Sequence, residues 1–174
     1  MVRIAPQQMK LMAKYKLIPF TQQSLSDAKK RWEGIAGEDG FDLEFAPMFT
    51  WAEGHLAHQD GNSVAFDLHN NDNDNTDAIV EIVTSRRGAL SKLLKVIPSP
   101  EFWDVNNRRD DIVQLYTETF FGLITLGGFG ATRKIKIYGR DDEMMSILRS
   151  IHNAWAIPNS TAEFEGRFLA ITLN

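Results

Sequence analysis

Lys92-Leu93-Leu94-Lys95-Val96-Ile97 is a short apolar run cut off by Pro98 and Pro100. A run of this length ending in prolines reads as a strand, because proline removes a ladder donor and fixes φ. Beyond it, Ile112, Leu115, Tyr116, Thr119, Phe120, Leu123 and Ile124 recur every three or four positions, the stripe of a helix spanning 110–126. Residues 133–138 alternate, 141–155 return to the helical period, and 164–173 read as extended. Strand, helix, strand, helix, strand is the order of an α/β sheet, whose ligands sit beyond strand ends.

Before this stretch, residues 16–20 read as a first strand ending near Pro19. Ser24 is a candidate N-cap, with Asp27 three positions on, for a helix with Leu25, Ala28, Trp32 and Ile35 on one face and closed by Gly34 and Gly37. Residues 41–58 place Phe41, Phe45, Phe49 and Trp51 at about helical spacing, but Pro47 and Gly54 interrupt them. An irregular segment with one or two helical turns is expected. Residues 63–68 alternate and 78–83 are rich in β-branched side chains. The polar run between them, His69 to Asp77, predicts an antiparallel hairpin. In the second half, Asn106 or Asn107 can cap the long helix, and Gly127-Gly128 can end it. Asp141 can cap the last helix, which lines one face with Met144, Leu148, Ile151 and Trp155.

A chain of 174 residues with 43% hydrophobic and 24% charged side chains suits one soluble globular domain, 1–174. A formal charge of −4 argues against a general nucleic-acid binder. No apolar run approaches the ~20 residues that span a bilayer, and the N-terminus has no secretory core segment. The absence of cysteine excludes disulfides, thiolate metal sites and a cysteine nucleophile. It suits a cytoplasmic or a virion-associated protein.

Several residue groups invite a chemical reading beside a plainer one. The Asp/Asn run from Asn70 to Asp77 has oxygen ligands for calcium, but it lacks the EF-hand glycine and glutamate and reads better as a solvated hairpin tip. His55, His58 and His69 could hold a divalent metal, yet no His-Glu-x-x-His accompanies them, and hydrogen-bonded surface histidines are the alternative. No serine lies in Gly-x-Ser-x-Gly. Gly127-Gly128-Phe129-Gly130 follows a helix and precedes a strand, the reverse of a dinucleotide fingerprint, so a helix C-cap explains it better. Arg86-Arg87 and Arg108-Arg109 are adjacent-basic pairs. The second stands at a helix N-terminus, where an anion can dock, or else it counters Asp110 and Asp111.

The element order from 16 to 173 resembles the GNAT N-acetyltransferase fold. That resemblance implies a single mixed, mostly antiparallel central sheet flanked by helices. It also implies acetyl-coenzyme A as cofactor, held by the fourth strand and the following helix. Carried over by position, Lys95, Val96, Ile97, Arg108 and Arg109 would bind that cofactor. The family's Arg/Gln-x-x-Gly-x-Gly/Ala signature is absent from residues 98–111, and Leu148 stands where its helical tyrosine acid would be. Glu81, mid-strand in an apolar run, is then the candidate base, with a solvent-facing strand residue as the alternative. Tyr138 is the candidate acid, or else a core-edge aromatic. The reaction implied is N-acyl transfer to an unidentified small-molecule or protein amine. The rival is a non-catalytic GNAT-like domain with a binding or structural role, as part of a homo-oligomer or with a protein partner. Trp51, Phe102 and Trp103 could contribute to such a contact surface. The resemblance further implies that the 92–97 strand splays from the 133–138 strand to admit the cofactor.

Overall fold

A computed structural model describes residues 14–56, 63–85, 90–104, 107–128 and 134–174. The chain forms β1 (Tyr15–Pro19), α1 (Gln22–Ala36), α2 (Glu38–Glu44), α3 (Ala46–Glu53), β2 (Ser63–Asn70), β3 (Asn75–Thr84) and β4 (Leu90–Pro98). A 3-10 turn at Pro100–Phe102 leads to α4 (Arg109–Gly128), β5 (Lys134–Tyr138), α5 (Asp142–Asn153), β6 (Ser160–Glu165) and β7 (Phe168–Leu173). Seven strands make one sheet in the order β1-β2-β3-β4-β5-β7-β6. Every neighbouring pair is antiparallel except β4 and β5, which α4 joins as a parallel crossover.

Residues of one strand alternate between the sheet's two faces, and the two faces carry separate cores. Ala78, Val80 and Ile82 of β3 face Leu115, Phe120 and Leu123 of α4, with Ile135, Ile137 and Leu148 beyond. Ala65 and Ile79 point the other way, into a core of Leu25, Trp32, Phe41, Phe45 and Phe49 from α1–α3. The β3 run reads as continuously apolar because helices cover it on both sides.

Four local expectations are corrected. The first helix is capped by Thr21, whose side chain accepts from the Ser24 N–H; Ser24 is the reciprocal partner of that capping box. Residues 38–53 are two short helices, because aromatics at helical spacing pack on Trp32 edge-on, with Phe45 and Phe49 each 5.2 Å away. The turn between β2 and β3 is shorter than the polar run: the strands extend to Asn70 and from Asn75, with Asp74 in the left-handed region at φ 58. The C-terminal extended segment is a hairpin that turns at Gly166 (φ 62), with β6 beginning at Ser160.

Asp141 caps α5 as expected, its Oδ1 accepting from the Met144 N–H at 2.8 Å. Gly139, just before it, lies where a Cβ would come within 2.2 Å of the buried Met145 sulfur, so the chain enters α5 pressed against that helix. Asn106 and Gly130 lie outside the described residues.

Under α1, Asp67, Asn70, Thr76 and Asp77 of the β2–β3 hairpin are buried. Arg31 Nη1 and Trp32 Nε1 both donate to the Thr76 carbonyl, and Asn70 donates to Asp77. Asp67, 4% exposed, meets His69 Nδ1 at 3.2 Å. Desolvation by burial pushes the Asp67 carboxyl up to about 6, against the opposing pull of Thr76 and His69. Because its folded-state value lies above the ordinary one, ionised Asp67 costs stability at neutral pH. The cost fades as pH falls through about 6 toward the ordinary carboxylate range. At about 1.4 kcal/mol per tenfold change in protonation equilibrium, the cost is on the order of 3 kcal/mol. Asp67→Asn should therefore raise stability to urea more at pH 7.5 than at pH 4.5. An equal gain at both would show that the carboxylate is not strained.

Candidate functional site

The site is an opening in the sheet. β4 and β5 pair from Leu90–Lys134 to Leu93–Ile137; β4 then runs on to Pro98, while β5 ends at Tyr138. On its other side β4 pairs with β3 throughout, but Leu94 is bulged: Leu93 faces Ile82, and Lys95 faces Glu81. A bulge bends its strand and sharpens the twist, which turns the Pro98 end of β4 away from β5. The β5-side edge of residues 94–98 consequently has no strand partner among the described residues.

A cavity of about 280 Å³ lies beside that edge. Ile97, Pro98 and Ser99 form its floor. Ile112 and Tyr116 of α4 make one wall, and Asp141, Glu143, Met144 and Ile147 at the start of α5 make the other. Glu44, Phe45, Phe102 and Trp103 stand at the α2–α3 side. The cavity thus reaches from the α4–α5 face to the α2–α3 corner. Trp103 stacks on Phe45 at 5.5 Å and 24°, and its ring lies 3.2 Å from where a Cβ on Gly40 would stand. Burial, followed by the charge of Asp141, pushes the Tyr116 hydroxyl up to about 12, so it remains a hydrogen-bond donor at ordinary pH. Ser99 is 1% exposed, its N–H donating to the Asp77 carbonyl, and its Oγ has no hydrogen-bond partner among the described residues.

No protein-family model matches the chain, and no curated protein matches it. Solved structures do resemble it in outline. A spermidine N-acetyltransferase chimera of Vibrio cholerae and human sequences is 14% identical over 92% of this chain and 95% of that one, with a TM-score of 0.45. A probable acetyltransferase from Staphylococcus epidermidis is 13% identical over 92% and 99%, with a TM-score of 0.46. A GNAT family acetyltransferase from Brucella melitensis, solved with acetyl-CoA, is 11% identical over 93% and 90%, with a TM-score of 0.41. The chain has the single mixed, mostly antiparallel sheet flanked by helices, and the opening beside β4, that the resemblance implied.

In this sheet the expected site residues fall into two groups. Ile97 lines the cavity, Val96 is buried in the α4–α5 core, and Lys95 is half exposed on the opposite face. What the three present toward the opening together is backbone. Glu81 is 9% exposed on the α1–α3 face, where it accepts from Ser63 Oγ at 3.3 Å and pairs with Lys95 Nζ at 3.7 Å. It stands across the ladder from the bulge, where the sheet begins to open, and does not line the cavity.

Tyr138 does not line it either; its ring packs on Phe168 at 5.0 Å. Arg108 spends Nε on Asp111 (2.9 Å) and Nη1 on the Glu101 carbonyl (3.0 Å), with its guanidinium over the Phe102 ring. Arg109, first residue of α4, is exposed and makes no ion pair among the described residues. Arg86 and Arg87 lie outside the described residues.

The metal reading gains nothing. Among the described residues no group of three or more His, Cys, Asp or Glu could hold an ion, and His58 is not among them. His55 is bound to the Trp51 carbonyl, and His69 lies between Asp67 and Asp74. Nor is any described helix long and apolar enough to cross a membrane.

Sequence reasoning missed Ser99, Tyr116 and the acidic rim of Glu44, Asp141 and Glu143. Tyr116 belongs to the apolar stripe of α4 and gives no sign that its ring borders a void. Asp141 reads as a helix cap, which it also is.

Proposed function

We propose that the protein is an N-acyltransferase that moves an acyl group from acyl-coenzyme A, acetyl-coenzyme A in the first instance, to an amine. The observation that carries this reading is the unpaired β4 edge beside a 280 Å³ cavity. Backbone N–H and C=O groups left without a strand partner need hydrogen-bond partners, and an extended amide-bearing chain can supply them. Lying along residues 95–97 with Ile112, Met144 and Ile147 against it, the pantetheine arm suits this opening. The nucleotide diphosphate is matched less well, because the cavity lining contains no lysine or arginine. It is left to Arg109 and the first turn of α4.

A thioester bound there supplies an activated acyl carbon: the amine nitrogen forms the C–N bond, the C–S bond breaks, and the proton the nitrogen sheds ends on sulfur. The chain's residues serve that exchange. Glu81, at the bulge, is assigned the proton from an amine approaching on the α1–α3 face. Tyr116 takes the place expected of Tyr138, because its ring borders the cavity and its hydroxyl can donate a hydrogen bond to the departing sulfur.

The rival reading, a non-catalytic binding domain, is favoured by the missing glycine signature and the acidic lining. One measurement separates the two. Acetyl-coenzyme A at a concentration one hundred times its dissociation constant should stabilise the fold by about 2.7 kcal/mol, roughly 5–10 °C in melting temperature. No rise at millimolar cofactor, with no thiol released in the presence of mixed amines, would leave the rival.

A further inference from the structure

Behind the cavity floor, and outside its lining, an ionic tie joins α1 to the turn that follows β4. Arg31 of α1 donates from Nη1 to the Thr76 carbonyl at 2.9 Å, and its Nη2 stands 2.6 Å from Glu101 Oε2 and 3.5 Å from Asp77 Oδ1. Glu101 belongs to the 3-10 turn Pro100–Phe102, and its main-chain carbonyl accepts from Arg108 Nη1 at 3.0 Å. One residue is thus gripped twice, by α1 through its side chain and by the entry to α4 through its backbone. Two residues earlier, the Ser99 N–H donates to the Asp77 carbonyl at 2.8 Å, which ties the same stretch to β3.

These ties bear on the floor and corner of the cavity, because Ser99, Phe102 and Trp103 line it while Arg31, Asp77 and Glu101 do not. A 3-10 turn of three residues has poor hydrogen-bond geometry and does not place itself. Burial of Phe102, 4% exposed, fixes the depth of the turn, but apolar contact is non-directional and leaves its rotation open. A guanidinium is a planar fork with donors in fixed directions, and the Thr76 carbonyl of the sheet sets those directions here. The Arg31 side chain is 20% exposed, so its charge-assisted contact with Glu101 is less screened than the surface ion pairs that contribute little.

We propose that Arg31 and Glu101 are positioning residues: their ion pair sets the orientation of the turn, and with it the places of Ser99, Phe102 and Trp103 against an acyl donor in the opening. Neither touches the donor. The identity of that ligand rests on the acyltransferase reading; the clamp on the turn does not. A floor held in place before binding removes the cost of ordering it, so loosening the clamp weakens donor binding without deleting any contact.

The test is made on the full chain, well below its melting temperature, with Glu101→Ala. The Glu101 side chain is 36% exposed and its loss strands no buried charge, whereas Arg31→Gln would strand Asp77, 3% exposed. Two quantities are read. One is the dissociation constant of acetyl-coenzyme A by calorimetry. The other is hydrogen exchange at the Ser99, Phe102 and Trp103 amides, whose bonds to the Asp77, Ser99 and Pro100 carbonyls define the turn. In Glu101→Ala, exchange should quicken at least tenfold and donor affinity should fall about tenfold, with the melting temperature within about 3 °C of wild type. Glu101→Gln, which keeps an acceptor for Arg31, should recover part of both. Unchanged exchange overturns the proposal whatever the affinity does, because the turn is then held without Glu101. Faster exchange with wild-type affinity overturns it as well, because the placement of the turn then does not matter to the site. A wild type that binds no acetyl-coenzyme A removes the acyltransferase reading instead, and the exchange rates still decide whether the clamp sets the turn.

Discussion

Trp32→Ala is expected to cost about 4 kcal/mol of folding stability, the usual scale for emptying a fully buried indole site. For a chain of this size that is roughly 10 °C or more in melting temperature. Trp32 is 0% exposed and is the hub of the α1–α3 core: Phe45 and Phe49 meet it edge-on, and its Nε1–H donates to the Thr76 carbonyl. Truncation leaves a cavity that none of these rings can fill without leaving its own helix. Trp32→Phe separates the two contributions. It keeps ring packing and gives up a donor to a carbonyl that Arg31 also serves, so it should cost far less. Urea denaturation of both variants decides the matter; equal losses would mean that the hydrogen bond, not packing, holds this layer.

Met144→Trp should abolish the stabilisation given by acetyl-coenzyme A while leaving the apo-protein's melting temperature within a few degrees. Met144 projects from the first turn of α5 into the cavity wall, and its own N–H is held by Asp141 at 2.8 Å, so the turn cannot swing away. An indole there occupies volume the donor arm requires. Displacing it costs about 3 kcal/mol on the scale of core overpacking, a loss of about a hundredfold in affinity. If Met144→Trp binds donor as the wild type does, the donor lies elsewhere, and the opening beside β4 loses its assigned purpose.

The order and type of the elements from residue 63 to the end of α5 are written into the sequence, since period changes, prolines and caps are local signals that tertiary packing here reinforces. Pro98 ends β4, and Asp141 caps α5. Short-range signals also sufficed for the opening to be expected, through the resemblance that the element order carries. Signals that depend on a partner were illegible. Residues 38–53 are poor helices alone, broken by Gly40 and Pro47, and are held by rings that meet only once α1 is beneath them. The bulge at Leu94 leaves no mark in composition, because pairing register is a property of two strands together. Arg108 illustrates the same limit at the site: its charge invited an anion, but Asp111, Glu101 and Phe102 surround it once α4 is folded.

By itself the sequence determined an α/β sheet of alternating strands and helices and excluded cysteine chemistry outright, because hydrophobic period and residue type do not wait for tertiary contacts. Only the folded chain decided that β4 leaves β5 after Leu93, that Tyr116 rather than Tyr138 borders the gap, and that Glu44 shares its rim with the distant Asp141 and Glu143. Those are facts of which surfaces face one another across space, and a one-dimensional pattern fixes each surface without fixing what lies opposite it.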